Sequence, residues 1–236
     1  MPHRTALLLT AIGVLSGCAI PSSAFAQQSG DAPARQAKEV PRVSRPPLFF
    51  DEAWKQRPAG GEHPVTAESV ANPNLELKLY GASGKEIQLT GSPQDENNPT
   101  HVWTGLCTTP CAFTFRDKQN FVDLTGLARI RLVTKVSGLH RVHPMVRLAD
   151  GTVLVGNRAD GSVTDWIESE IPVAEIRWLR LDTERLVTTG NWVEHPDLSR
   201  VDEVGFVDLM PGSGHGPGGW SDVGRVQVFG KPVKRS

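Results

Sequence analysis

From Leu75 onward apolar and polar residues alternate with a period of two. Leu75, Leu77 and Leu79 interleave with Glu76, Lys78 and Tyr80, the pattern of a strand with one buried face. Similar runs occur at 87–90, 101–104, 112–116, 129–136, 142–149, 152–156, 175–182, 204–209 and 224–229. No long amphipathic helix competes with them, and short helical turns are expected only at 51–56 and 66–69. Short strands separated by turn residues predict an all-β chain, a single antiparallel β-sandwich of jelly-roll type. Asp150-Gly151, between Arg147-Leu148 and Val153-Leu154, predicts a two-residue type I′ hairpin, and Asp160-Gly161 a second turn. There is no internal repeat and no heptad pattern.

The first residues follow a different logic. Arg4 precedes a short apolar core at 5–15, too short for a permanent membrane span, and Ala24-Phe25-Ala26 offers a small-x-small cleavage site. Residues 1–26 are therefore expected to be a signal peptide. The alternative is Leu15-Ser16-Gly17-Cys18, which resembles the lipobox of bacterial lipoproteins, with Cys18 lipidated and the leader ending before it. Either route leads to an extracytoplasmic location, periplasmic or secreted, or an outer-membrane lipoprotein, and membrane attachment is expected only through Cys18. Residues 27–47, rich in charge and proline and lacking aromatics, predict a flexible, disordered linker, and 48–233 the sandwich domain.

Two cysteines then remain. Cys107 and Cys111, spaced Cys-Thr-Thr-Pro-Cys, are expected to form a disulfide that pins a local turn. A redox motif has two intervening residues and opens a helix, and a zinc site needs further soft ligands, so neither fits. With 25 basic and 26 acidic residues, the charge balance advertises no nucleic acid and no anionic membrane surface.

Val122-Asp123-Leu124-Thr125-Gly126 leading into Ile130-Arg131-Leu132, then Val201 to Phe206 as Val-Asp-Glu-Val-Gly-Phe, and the closing run Val223 to Gly230, together resemble galactose-binding-domain-like β-sandwiches. These include many carbohydrate-binding modules. The segment from Asp208 to Gly230 also resembles the C-terminal end of secreted bacterial proteins of unassigned function. The resemblance spans roughly 120–230 and implies a fold and a carbohydrate ligand, without naming a catalytic residue.

The loop Pro211-Gly212-Ser213-Gly214-His215-Gly216-Pro217-Gly218-Gly219-Trp220-Ser221-Asp222 carries His, Trp and Asp on a backbone only glycine lets turn so freely. It is not a phosphate loop, because no helix start or lysine follows. Trp220 is expected to stack on a sugar ring, with His215, Asp208 and Asp222 as polar partners. The alternative is a plain connection, and tryptophans also fill sandwich cores. A second candidate is a basic strip: Arg131 and Lys135 share one side of their strand, His143 and Arg147 one side of the next. Paired with those sides aligned, they would hold acidic groups, or serve a lyase or hydrolase; the alternative is a solvated sheet face. His140 and His143, three apart on a strand, point to opposite faces and make poor metal ligands.

Asp160 near Asn157, and Asp95, Glu96 and Asn97, supply oxygens for a structural Ca²⁺, though turn chemistry accounts for them; no metal site and no other cofactor is expected. No Gly-x-Ser-x-Gly elbow is present, and no pair of carboxylates stands out for glycoside hydrolysis. The leading expectation is a monomeric, exported, non-catalytic carbohydrate-binding domain, with an accessory part in polysaccharide breakdown as one use for it. The alternatives are a polysaccharide-acting enzyme and a structural or partner-binding surface lipoprotein.

Overall fold

In the computed structural model, residues 44–56, 63–163, 165–216 and 218–235 are described, so the leader, Cys18 and most of the linker lie outside them. The strands are β1 (Leu48–Glu52), β2 (His63–Pro64), β3 (Leu75–Tyr80), β4 (Gln88–Thr90), β5 (His101–Trp103), β6 (Cys111–Asp117), β7 (Asn120–Asp123) and β8 (Arg129–Val136), of which β1, β2 and β7 fall outside the expected runs. They continue with β9 (Val142–Leu148), β10 (Val153–Gly156), β11 (Ile167–Pro172), β12 (Trp178–Asp182), β13 (Val187–Val193), β14 (Val201–Asp208), β15 (Ser221–Phe229) and β16 (Lys231–Lys234). The predicted helix at 51–56 does not form, because β1 runs through Glu52 and the chain then turns inward at Trp54. A single 3₁₀ turn does form at Ala67–Ser69, closed by reciprocal Thr66 and Ser69 side-chain bonds.

Two antiparallel sheets result. The first has the order β11-β8-β15-β5-β4-β2, with β1 beside the later half of β15; the second has the order β13-β12-β10-β9-β14-β6-β3, with β7 and β16 attached. The chain crosses repeatedly between them, from β8 to β9, β10 to β11, β11 to β12 and β14 to β15, which makes this a jelly-roll-type β-sandwich.

Alternation explains the core. On β8, Ile130, Leu132, Thr134 and Val136 are buried while Arg129, Arg131, Val133 and Lys135 are less so. The inward residues of both sheets meet in one cluster that includes Phe50, Trp54, Phe113, Phe115, Trp178 and Phe206. Trp54 is inserted edge-on against Phe113, with centroids 5.3 Å apart, and its Nε1–H is satisfied by the Val223 carbonyl at 2.9 Å. Glu52, also buried, accepts backbone N–H bonds from Trp54, Ala71 and Asn72, each at 2.8 Å, and ties the loop before β3 to β1.

The β9–β10 hairpin departs from the two-residue expectation. Leu148 N–H donates to Thr152 at 2.8 Å, leaving three loop residues, and only Gly151 (φ 88°) is left-handed. This is the three-residue loop with glycine at its last position. Asp160 is not a free turn residue either. It bridges Val142 by backbone bonds, and its carboxylate accepts from the Thr134 and Ser169 hydroxyls at 2.9 and 2.6 Å.

Candidate functional site

β5 reads His-Val-Trp, so Val102 faces the core while His101 and Trp103 share the outer face of the first sheet. Register then builds a row across that face: Gln88 opposite Trp103, Trp103 opposite Asp222, and Asp222 opposite Lys135. Neighbouring loops roof the row, and a cleft of about 190 Å³ remains, lined by Thr90, Asn98, His101, Trp103, Lys135, His215, Trp220 and Asp222.

The glycine-rich loop reaches the cleft because the β5–β6 connection templates it. Cys107 and Cys111 are joined, with Cα atoms 6.3 Å apart, inside the usual disulfide range. The turn they pin accepts Gly212 N–H at the Cys107 carbonyl and Gly214 N–H at the Gly105 carbonyl, both at 2.7 Å. A Cβ on Gly212 would fall 2.3 Å from the Gly105 oxygen, so only glycine allows this approach. His215 is thereby laid over Trp103, nearly parallel at a centroid distance of 4.8 Å, and Trp220 meets His215 edge-on at 6.2 Å. Trp103 is buried beneath this stack, whereas Trp220 is half-buried and His215 exposed.

The electrostatics of the cleft are those of a partly desolvated acid–base group. Burial pushes the Asp222 carboxyl from its ordinary 3.8 up to about 7, against the pull of the Trp220 Nε1–H bond (3.2 Å) and the Lys135 charge. His101 is driven the other way, from 6.5 down to about 4, chiefly by burial and further by Lys135, against the effect of its bond to Pro99. Its Nδ1–H donates to the Pro99 carbonyl at 2.6 Å, which leaves Nε2 as the unprotonated nitrogen of the neutral ring. Nε2 lies 3.5 Å from Asp222 Oδ1, too far for a good hydrogen bond, and that buried oxygen has no hydrogen-bond partner among the described residues. Burying an ionised carboxylate that has an orphaned oxygen is costly, which is why Asp222 holds its proton.

Of the residues expected from the sequence, Trp220, His215, Asp222 and Lys135 meet in this cleft. Asp208 does not. It is buried beneath the loop, where Oδ2 accepts from His140 Nδ1 (2.6 Å), Ser221 Oγ (2.7 Å) and Thr104 Oγ1 (3.3 Å), and Oδ1 accepts from Met210 N–H (3.1 Å). It joins the end of β14 to the start of β15 and, at 3% exposure, is kept from a ligand by burial. His140 serves the same network, not a metal.

The basic strip is likewise not assembled. β8 and β9 lie in different sheets, so Arg131 and Lys135 stand on the outer face of one layer, and His143 and Arg147 on that of the other. Arg131 pairs with Glu170 at 2.9 Å and Glu168 at 3.5 Å. His143 donates Nδ1–H to the Gly156 carbonyl, and burial lowers its pKa. Arg147 lies 3.4 Å from the Tyr80 hydroxyl, which itself donates to the buried Glu203 at 2.5 Å; burial, then that Glu203 bond, pushes the phenol up to about 12. A shared catalytic face of His143, Arg147 and Lys135 is therefore ruled out by topology.

Among the described residues no cluster of metal-ligating side chains is present. Asp95 caps its own turn through Asn97 and Asn98 N–H, and Asn157 accepts Arg177 N–H. No helix among the described residues is long and apolar enough to cross a membrane. His101, Trp103, Thr90 and Asn98 were not among the expected site residues. The signal for the first two was the His-Val-Trp alternation itself.

No family model matches the chain, and no curated protein matches it. Among solved structures, the chain is similar to the family 11 carbohydrate-binding module of a cellulosomal cellulase of Clostridium thermocellum: 13% identity, 74% of this chain and 98% of that one covered, TM-score 0.41. A family 11 carbohydrate-binding module from Clostridium thermocellum in complex with a β-1,3-1,4-mixed-linked tetrasaccharide gives 16% identity, 75% and 100% coverage and a TM-score of 0.41. TmCBM61 in complex with β-1,4-galactotriose gives 13%, 65% and 88%, with a TM-score of 0.37.

Proposed function

We propose that this chain is an exported, non-catalytic carbohydrate-binding domain whose cleft takes a terminal or single sugar unit. The observation that carries this is the cleft's composition: the indole of Trp220 beside the His215 imidazole, with the buried Asp222 carboxyl, its unpartnered Oδ1, and Lys135 on the wall. A flat aromatic gives apolar contact to a sugar's C–H face, and the polar groups fix its hydroxyls with directional bonds. At about 190 Å³ the cleft is smaller than the roughly 300–1,000 Å³ of drug-sized pockets, which favours one ring over a long segment. Export is supported by the leader-like N-terminus and by the Cys107–Cys111 disulfide, which persists in oxidising compartments.

A polysaccharide-cleaving reading draws on the same perturbed Asp222, since displaced pKa values gather at functional sites. The cleft lining contains a single carboxylate, however, where most glycoside hydrolases use two. The test is a glycan array with the purified protein and its Trp220→Ala variant, followed by assay for new reducing ends or unsaturated products. Loss of one stack is worth about 1 to 3 kcal/mol, so affinity should fall roughly five- to a hundredfold while the cooperative melt is kept. An unchanged array profile removes the cleft as the site, and product formation replaces binding with catalysis.

A further inference from the structure

The second sheet carries a distortion at its free edge. Trp178 pairs with Val193 and Arg180 with Thr189, so Leu179 alone on β12 faces Gly190, Asn191 and Trp192 on β13. A bulge on an edge strand re-aims side chains. Gly190 turns it with φ 72°, and just beyond the strand His195 holds a left-handed φ of 51°. Such a conformation costs a non-glycine residue on the order of 1 kcal/mol or more. Trp192, 36% exposed, is thereby placed at a cavity of about 250 Å³ that the Trp220 cleft does not share.

A lone exposed tryptophan is ordinary, but this one has built surroundings. The Arg177 guanidinium sits 4.3 Å from the Trp192 ring centroid, fixing the indole plane, and has no carboxylate partner among the described residues. Trp178, 2% exposed, lines the cavity, and its buried Nε1–H has no acceptor among the described residues. Its Cζ3 edge lies 3.5 Å from where a Gly156 Cβ would stand, toward β10. A buried N–H left unmet costs about 1–3 kcal/mol, which an acceptor on a ligand would recover. Glu194, also in the lining, adds a carboxylate acceptor to the same cavity.

We infer that this cavity is a second binding site, for a neutral sugar ring, formed by Trp192, Arg177, Trp178, Glu194 and His195. An anionic group would meet Glu194, and an apolar ligand would leave the Trp178 N–H unmet. A polyhydroxylated ring with an apolar face satisfies both donors and acceptor. The site stands independently of the cleft, and two sites on one protein would raise avidity for a polymer.

The six tryptophans give a direct readout. With indole-¹⁵N-labelled whole chain, titration with cellotetraose, galactotriose and, as the acidic comparison, trigalacturonate is followed by the indole N–H resonances. A neutral oligosaccharide should move the Trp178 Nε1–H downfield together with Trp192. Trp192→Ala should weaken the Trp178 response by about tenfold, the loss of one aromatic stack, and Trp220→Ala should leave it intact. If Trp192→Ala loses spectral dispersion, Arg177→Gln and Glu194→Gln decide, each expected to weaken the response several-fold. The inference is overturned if neither resonance moves with any neutral sugar at millimolar concentration, if trigalacturonate moves them more, or if the deciding variants respond like wild type. Because the Trp220 resonance reports the cleft separately, failure of one site is distinguishable from failure of the other.

Discussion

Replacing Asp222 by Asn tests the electrostatic account of the cleft most directly. In the unfolded chain the carboxyl titrates near 3.8 and in the folded protein near 7. Between those values the folded state holds a proton that the unfolded state has released, so the carboxyl makes stability fall as pH rises. At about 1.36 kcal/mol per pH unit the full loss, reached above pH 7, is on the order of 4 kcal/mol. His101, taken from 6.5 to about 4, acts oppositely: between these values the unfolded chain holds the extra proton, and stability rises with pH by on the order of 3 kcal/mol. From about pH 4 to 6.5 the two slopes cancel, and wild type should be nearly flat there. Asp222→Asn removes one of them. The variant should match wild type near pH 4, gain stability as pH rises to 6.5, and exceed wild type at pH 8 by up to about 4 kcal/mol. His101→Gln should show the reverse slope, losing stability from pH 4 to 7. Urea unfolding from pH 4 to 8 measures both. A difference between Asp222→Asn and wild type that is independent of pH, or a variant no more stable at pH 8, would refute the desolvated carboxyl.

Three further outcomes are expected. Nonreduced protein should show no free thiol at Cys107 or Cys111 by alkylation and mass spectrometry; closing so short a loop should contribute about 2 kcal/mol, and its reduction should weaken ligand binding, because the pinned turn holds Gly212 and Gly214. Gly105→Ala would place a Cβ 2.0 Å from the Trp103 ring; it should cost about 1–3 kcal/mol by urea titration and perturb the Trp103 and His215 resonances, whereas an unchanged melt and spectrum would show that Trp103 is not held as described. Mass spectrometry of exported protein should find an N-terminus at Gln27, and a diacylglyceryl Cys18 would establish the anchored form instead.

The sandwich was legible because strand alternation is local. β8 carries its buried and less buried positions in the order of residues alone, and two cysteines left in a chain expected to be exported were enough to expect their disulfide. Strands whose pattern is not set by one buried face were missed: β13 is exposed along nearly its whole length, so no alternation of buried and exposed positions marks it. The candidate site was half legible. Glycine spacing and Trp220 pointed to the loop, and His101 and Trp103 already shared a face by alternation. Pairing partners lie far apart in sequence, so only tertiary structure decided that Lys135 stands next to Asp222 while His143 and Arg147 fall on the other sheet. The same holds for Asp208 and Asp222, two loop-flanking carboxylates indistinguishable in sequence. One is buried among three side-chain donors and spent on the fold; the other is buried with one oxygen unmet, and that difference in desolvation and partners exists only once both sheets are in place.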